Sequence, residues 1–148
     1  MAKVSICVPT YNNASEVERL LQSVHRQNYT DYEVNISDDS TNEETAELIE
    51  RIIIEWNWQD RMHYIHNEKP LGHIYNWNAA IKMAAGEYIK IMFSDDWFTD
   101  SNSLGTFVSM LDEHPKANLA FSGSMQVLLD GQDIEQVKHL SKQATEHG

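Results

Sequence analysis

Four short apolar runs, each followed by a segment with helical spacing, constrain this chain more than any other feature. Val4-Ser5-Ile6-Cys7-Val8 stops at Pro9, and Val17, Leu20, Leu21 and Val24 then recur on one helix face. That helix is expected from about Glu16 to Gln27, capped by Asn13 or Ser15. Tyr32 to Ser37 reads as a second strand. Thr41 and Glu44 form a capping-box pattern for a helix running through Leu48, Ile49, Ile52 and Ile53. Met62–His66 is a third strand, and Ile74 to Ala84 a helix ended by Gly86 at a C′-like position. The fourth strand spans Glu87 to Phe93. This alternation predicts an α/β fold: a mostly parallel, Rossmann-like sheet with helices on both faces, the first strand central and the fourth beside it.

Beyond that frame a helix is expected from Ser103 to Glu113, a fifth strand from Asn118 to Ser122, and a further strand from Gly123 to Leu129 with a turn at Asp130-Gly131. Ile134, Val137 and Leu140 make one weak helical stripe in a polar tail. The expected organisation is a ligand-binding domain over residues 1–129 and a polar tail over 130–148.

Two acidic pairs, Asp38-Asp39 and Asp95-Asp96, fall at matching strand ends. Adjacent carboxylates repel, so a strand end carrying two of them needs a cation or hydrogen-bond donors to face. In open α/β sheets ligands bind outside the carboxyl ends of the strands. The crevice should therefore gather Pro9-Thr10-Tyr11-Asn12-Asn13, Asp38-Asp39-Ser40 and Ser94-Asp95-Asp96-Trp97. No glycine-rich loop follows the first strand, which argues against a dinucleotide or Walker-type phosphate site. Phosphates would need a divalent cation, Mn²⁺ or Mg²⁺, with the second acidic pair as its holder. The first pair, acceptor-only, suits a base-ring N–H or ribose hydroxyls.

A formal charge of −12 with no basic stripe speaks against nucleic acid as a partner. There is no apolar run of about eighteen residues to cross a bilayer. The opening Met1-Ala2-Lys3 runs straight into a strand, and the single cysteine, Cys7, sits within it; both suggest a cytoplasmic setting without a signal peptide. The histidines lack zinc spacing, since His63 and His66 fall on opposite faces of a strand. Trp56, Trp58 and Trp77 read as packing residues.

The segments Val4-Ser5-Ile6-Cys7-Val8-Pro9-Thr10-Tyr11-Asn12, Tyr32 through Asn42, and Ser94-Asp95-Asp96 jointly resemble the nucleotide-binding half of a family 2, GT-A-type glycosyltransferase. The likeness covers about residues 3 to 125. It implies transfer of a sugar, with inversion, from a nucleotide-sugar donor (UDP-linked first) to a saccharide or lipid-linked acceptor, with peripheral membrane association of a full-length protein allowed. Carried over by position, Pro9, Thr10, Tyr11 and Asn12 line the nucleotide pocket, Asp39 accepts from the base N–H, Asp95 contacts ribose and Asp96 ligates the metal. Gly72 and Asn78 match a further family segment, in which Trp77 replaces the usual arginine; His73 or Lys69 could stand in for that cation. The acceptor base is expected outside this chain. A nucleotide-binding module without turnover is the alternative. A phospho-acceptor receiver domain fits poorly, because Pro9-Thr10 stands where an acidic pair would be needed.

Overall fold

The computed structural model describes residues 1–129 and 134–139. The chain divides into two compact units that part between Val108 and Ser109. In the first, a four-stranded parallel sheet has the order β3-β2-β1-β4, built from β1 (Val4–Thr10), β2 (Tyr32–Asp38), β3 (Met62–His66) and β4 (Tyr88–Ile91). The helices are α1 (Ala14–His25), α2 (Glu44–Trp56), α3 (His73–Lys82) and α4 (Ser103–Glu113), the last running across the division between units.

All residues of β1 and β2 are buried, as expected of central parallel strands covered on both sides. Side chains alternate between the two faces. Val4, Ile6 and Val8, with Val34 and Ile36, join Val17, Leu20, Leu21 and Val24 of α1, Leu48, Ile49 and Ile52 of α2, and Leu104 and Val108 of α4 in one core. The opposite face is polar. There the Ser5 hydroxyl and the Asn35 amide donate to Glu33 Oε1 at 2.7 and 3.2 Å, and the Ala85 N–H donates to the same oxygen at 2.9 Å. Burial pushes the Glu33 carboxyl up, but these donors and nearby His63 outweigh it and leave the group below its ordinary range. The carboxylate thus contributes stability above the ordinary glutamate range, lost as pH falls through the lowered value.

Several local expectations are corrected. Thr41 does not cap α2, which starts at Glu44; its backbone N–H donates instead to Asn12 Oδ1 at 2.9 Å. Gly86 lies past the end of α3 (Lys82) and next to β4, and not at a helix cap. A Cβ there would sit 2.8 Å from the Ser5 backbone nitrogen and 2.9 Å from the Val4 carbonyl carbon, so close backbone approach is what requires glycine. β4 ends at Ile91, although Met92 N–H still donates to Cys7 O at 3.0 Å.

In the second unit Asn118–Ser122 forms no strand, and Leu119 and Phe121 are exposed. The strand that does form, β5 (Ser124–Leu129), pairs antiparallel with β6 (Ile134–His139). The helical stripe expected through Ile134 and Val137 is therefore a strand, in which the two residues take opposite faces; an apolar pattern this short cannot choose between the structures, and pairing with β5 decides it. Leu140 and the turn at Asp130-Gly131 lie outside the described residues.

Because backbone atoms, unlike a side-chain tip, cannot yield cheaply, Gly86→Ala should lower unfolding free energy by about 1–3 kcal/mol, read by urea denaturation.

Candidate functional site

Central β1 pairs with both β2 and β4, so three strand ends open at one edge. Thr10 stands opposite Asp38, and the Asp39 N–H donates to Thr10 O at 3.0 Å. Asn12 is left-handed (φ 49°), a conformation that asparagine adopts more readily than most residues. Its N–H donates to Ser40 Oγ at 2.8 Å and its amide to Thr41 Oγ1 at 3.1 Å, which locks the loop after β1 onto the loop after β2. The Thr10 hydroxyl donates to Asn13 Oδ1 at 2.5 Å, and the Asn13 amide donates to Ser94 Oγ, reaching the end of β4.

The two aspartates of the first pair have different work. Asp38 is fully buried; it accepts from the Ser40 N–H at 2.8 Å and the Tyr64 hydroxyl at 2.7 Å. Burial, then this bond and the Asp38 charge, push the Tyr64 phenol well above its ordinary range. Asp39, also buried, turns to the other side. Its Oδ1 accepts from the Asn67 amide at 2.8 Å and its Oδ2 from the Gly72 N–H at 2.9 Å. Gly72 has φ +86° with open space around a would-be Cβ, so conformation and not crowding favours glycine. Asp39 thereby pins the start of α3.

Asn76, one turn further on, is buried against β1. Its amide donates to Thr10 O at 3.0 Å, and its Oδ1 accepts from the Asn67 amide at 3.3 Å. Neither Asn67 nor Asn76 was singled out from the sequence. The signal available was a polar residue four positions before Ala80, the other buried position of α3. At the rim, His66 Nε2 lies 2.8 Å from Ser40 O, a bond that raises its imidazole pKa, helped by Asp38 and Glu43.

The second pair contrasts with the first. Ser94 is buried, but Asp95 and Asp96 are exposed. The Asp96 N–H donates to Phe93 O at 2.9 Å, and the Phe93 N–H donates back to Asp96 Oδ2 at 3.3 Å, forming a tight turn. Nearby Lys90 is pushed down by burial, with Asp96 opposing. No cluster of three or more metal-ligating side chains occurs among the described residues. Two accessible carboxylates at a strand end still suit Mg²⁺ or Mn²⁺, which often take one or two protein oxygens and leave the rest to phosphate and water. The donor set fits such an ion.

Of the sequence-predicted residues, Thr10, Asn12, Asp39 and Gly72 are drawn into one network. Pro9 is buried opposite Ser37, and Tyr11 is exposed beside it at the strand end. Asp95 and Asp96 stand on the β4 side. Asn78 is different: it is exposed, and two helical positions from Asn76 is about 200° around the axis, so it does not join the network.

A parallel α/β sheet with helices on both faces and acidic strand ends at its opening is the GT-A type of arrangement. The Glycosyl transferase family 2 pattern matches residues 5–126, and the chain belongs to that family. Similar proteins include the GalNAc(5)-diNAcBac-PP-undecaprenol beta-1,3-glucosyltransferase of Campylobacter jejuni, 26% identical over 96% of this chain and 47% of its own length. Abequosyltransferase RfbV of Salmonella typhimurium is 33% identical over 74% of this chain and 32% of its own. Among solved structures, Staphylococcus aureus TarS 1-349 in complex with UDP superposes with a TM-score of 0.67 at 29% identity, covering 76% of this chain and 33% of that one. A Pyrobaculum calidifontis mannosyltransferase in complex with GDP-Man and Mn²⁺ gives 0.66 at 25% identity, covering 74% and 32%. The chain spans less than half the length of these proteins. No helix among the described residues is long and apolar enough to cross a membrane.

Asp39→Asn would turn an amide N–H₂ toward a donor already held by the carboxylate. An orphaned buried donor costs about 1–3 kcal/mol, so the variant should lose stability of that order. Hydrogen exchange at the Gly72 amide should quicken in parallel.

Proposed function

We propose that this chain is the donor-binding half of an inverting, metal-dependent glycosyltransferase that uses a nucleoside-diphosphate sugar, with a UDP-sugar as first choice. The observation that carries this reading is the division of labour between the acidic pairs: one buried and hydrogen-bonded into the scaffold, the other exposed in the turn after β4, on the far side of β1. The UDP complex of TarS and the GDP-Man and Mn²⁺ complex of the mannosyltransferase support it.

In this reading Asp39 accepts the base N–H. Both of its oxygens already have a donor, but each carboxylate oxygen has two lone pairs, so capacity remains. Pro9, Thr10, Tyr11 and Asn12 line the nucleotide pocket, with Gly72 closing it where α3 begins. Asn78, exposed on α3, is left to the pocket's outer margin. Asp95 takes the ribose hydroxyls and Asp96 holds the metal. A divalent ion bound there would stabilise the charge of the departing diphosphate. An acceptor hydroxyl displaces that group with inversion, and a base on the acceptor-binding side removes its proton. The acceptor is a saccharide or a lipid-linked sugar, as in the name of the Campylobacter relative. A lipid-linked acceptor would place the full-length protein peripherally at the cytoplasmic face of a membrane. The buried Cys7 thiol, pushed up to about 11 chiefly by burial, is inert in such a setting.

The test is calorimetric titration of UDP, GDP, CDP and dTDP with and without Mn²⁺, followed by donor turnover. Wild type should bind UDP best and more tightly with Mn²⁺. Asp96→Ala should abolish the Mn²⁺ enhancement while changing stability by no more than about 0.5 kcal/mol, as for an exposed side chain. Enhancement that persists in the mutant would remove Asp96 from the metal site. Nucleotide binding without release from any donor, even in a longer protein, would favour a binding module over an enzyme.

A further inference from the structure

We propose that the indole N–H of Trp77 is a donor to a phosphate oxygen of the bound nucleoside diphosphate, within a small aromatic subsite formed by His73, Trp77 and Phe93. The inference rests on the donor-binding reading above. Among the described residues, three buried side-chain polar atoms lack a hydrogen-bond partner: Asn35 Oδ1, Thr45 Oγ1 and Trp77 Nε1. The Asn35 side chain is already engaged through its amide with Glu33, and an acceptor oxygen left without a partner is tolerated better than an unpaired donor. Thr45 lies in α2, an element that supplies core residues and no site residue. Trp77 is the orphan in α3, the helix whose start Asp39 holds.

Its surroundings point to the metal end of the site. The Trp77 ring meets Phe93 at 5.1 Å and 72°, and the Phe93 N–H is the group that donates to the Asp96 carboxylate. His73 stacks on the same Phe93 ring at 6.2 Å and 13°, and is exposed. Trp77 follows Gly72 by five positions, about 7.5 Å along the helix, away from the end where Asp39 would read the base. An indole N–H is donor-only, so what completes it is an oxygen acceptor. At the Asp96 end of a bound nucleoside diphosphate, the available acceptors are phosphate oxygens. The outermost ring, His73, is a surface side chain able to change rotamer, which opens the cluster to the ligand.

The experiment compares the wild-type chain with Trp77→Phe, which keeps an aromatic ring and removes the N–H. Both are titrated calorimetrically with uridine and with UDP in the presence of Mn²⁺, and their melting temperatures are measured. Loss of one hydrogen bond to a charged acceptor should weaken UDP binding by about tenfold, with uridine affinity held within about twofold. The melting temperature should fall by no more than a few degrees, because the gap left by the smaller ring is offset by removal of a buried donor without a partner. Equal UDP affinity in the two proteins would overturn the inference. So would a parallel fall in uridine binding, UDP binding and melting temperature, which would make Trp77 a packing residue whose N–H serves the Phe93 ring. A wild-type chain that binds no nucleoside diphosphate with Mn²⁺ would overturn the donor-binding reading itself, whereas a wild type that binds and a variant that matches it sink this inference alone.

Discussion

The pairing of β1 with a parallel neighbour on each side is the constraint on which everything else depends. It puts Thr10 next to Asp38 and brings the end of β4 within reach of Asn13. It also commits both faces of β1 to burial, so the residues of its two faces had to diverge in character. The even-numbered face became the apolar core with α1, α2 and α4. The odd-numbered face became a hydrogen-bonded layer of Ser5, Glu33 and Asn35 beneath the α3 segment. Gly86 belongs to the same constraint, because the chain entering β4 must pass within van der Waals distance of the β1 backbone.

A buried carboxylate is tolerable only when its oxygens have hydrogen-bond donors. Asp38 and Asp39 meet that requirement by turning to opposite sides, one toward Tyr64 and the Ser40 N–H, the other toward Asn67 and Gly72. The bonds that satisfy them are also the bonds that fix the loops. The loops on the β2 side are therefore tied to one another by side-chain hydrogen bonds. On the β4 side Asp95 and Asp96 remain in solvent, where a carboxylate needs no protein partner and can meet a cation. The same residue pair, repeated near the ends of two strands, thus meets two different environments, one buried and one exposed.

The role of α3 follows from where it is held. Asp39 fixes Gly72, the residue just before it, Asn76 ties its middle to Thr10, and Trp77 lies against Phe93 beside the acidic turn. One helix consequently touches both the β2 side and the β4 side of the opening. That placement sets a helix with little charge and no acidic residue in its first turn against both sides of the opening.

What the sequence determined by itself was periodicity: four strands alternating with helices, the position of β1 at the centre, the acidic strand ends and the family. These are legible because apolar spacing and strand-end chemistry are local properties of the chain. The structure alone decided what long-range partners settle. The capping-box pattern at Thr41 gave way to a bond with Asn12, twenty-nine residues away in sequence. The stripe through Ile134 and Val137 became a strand by pairing with β5. Asn67 and Asn76 emerged as members of the site only when α3 was laid over the strand ends, and the same helix turn carried Asn78 outward. A hydrogen bond across the fold leaves no periodic trace in a sequence, so residues whose importance lies in such bonds appear only when the elements are brought together.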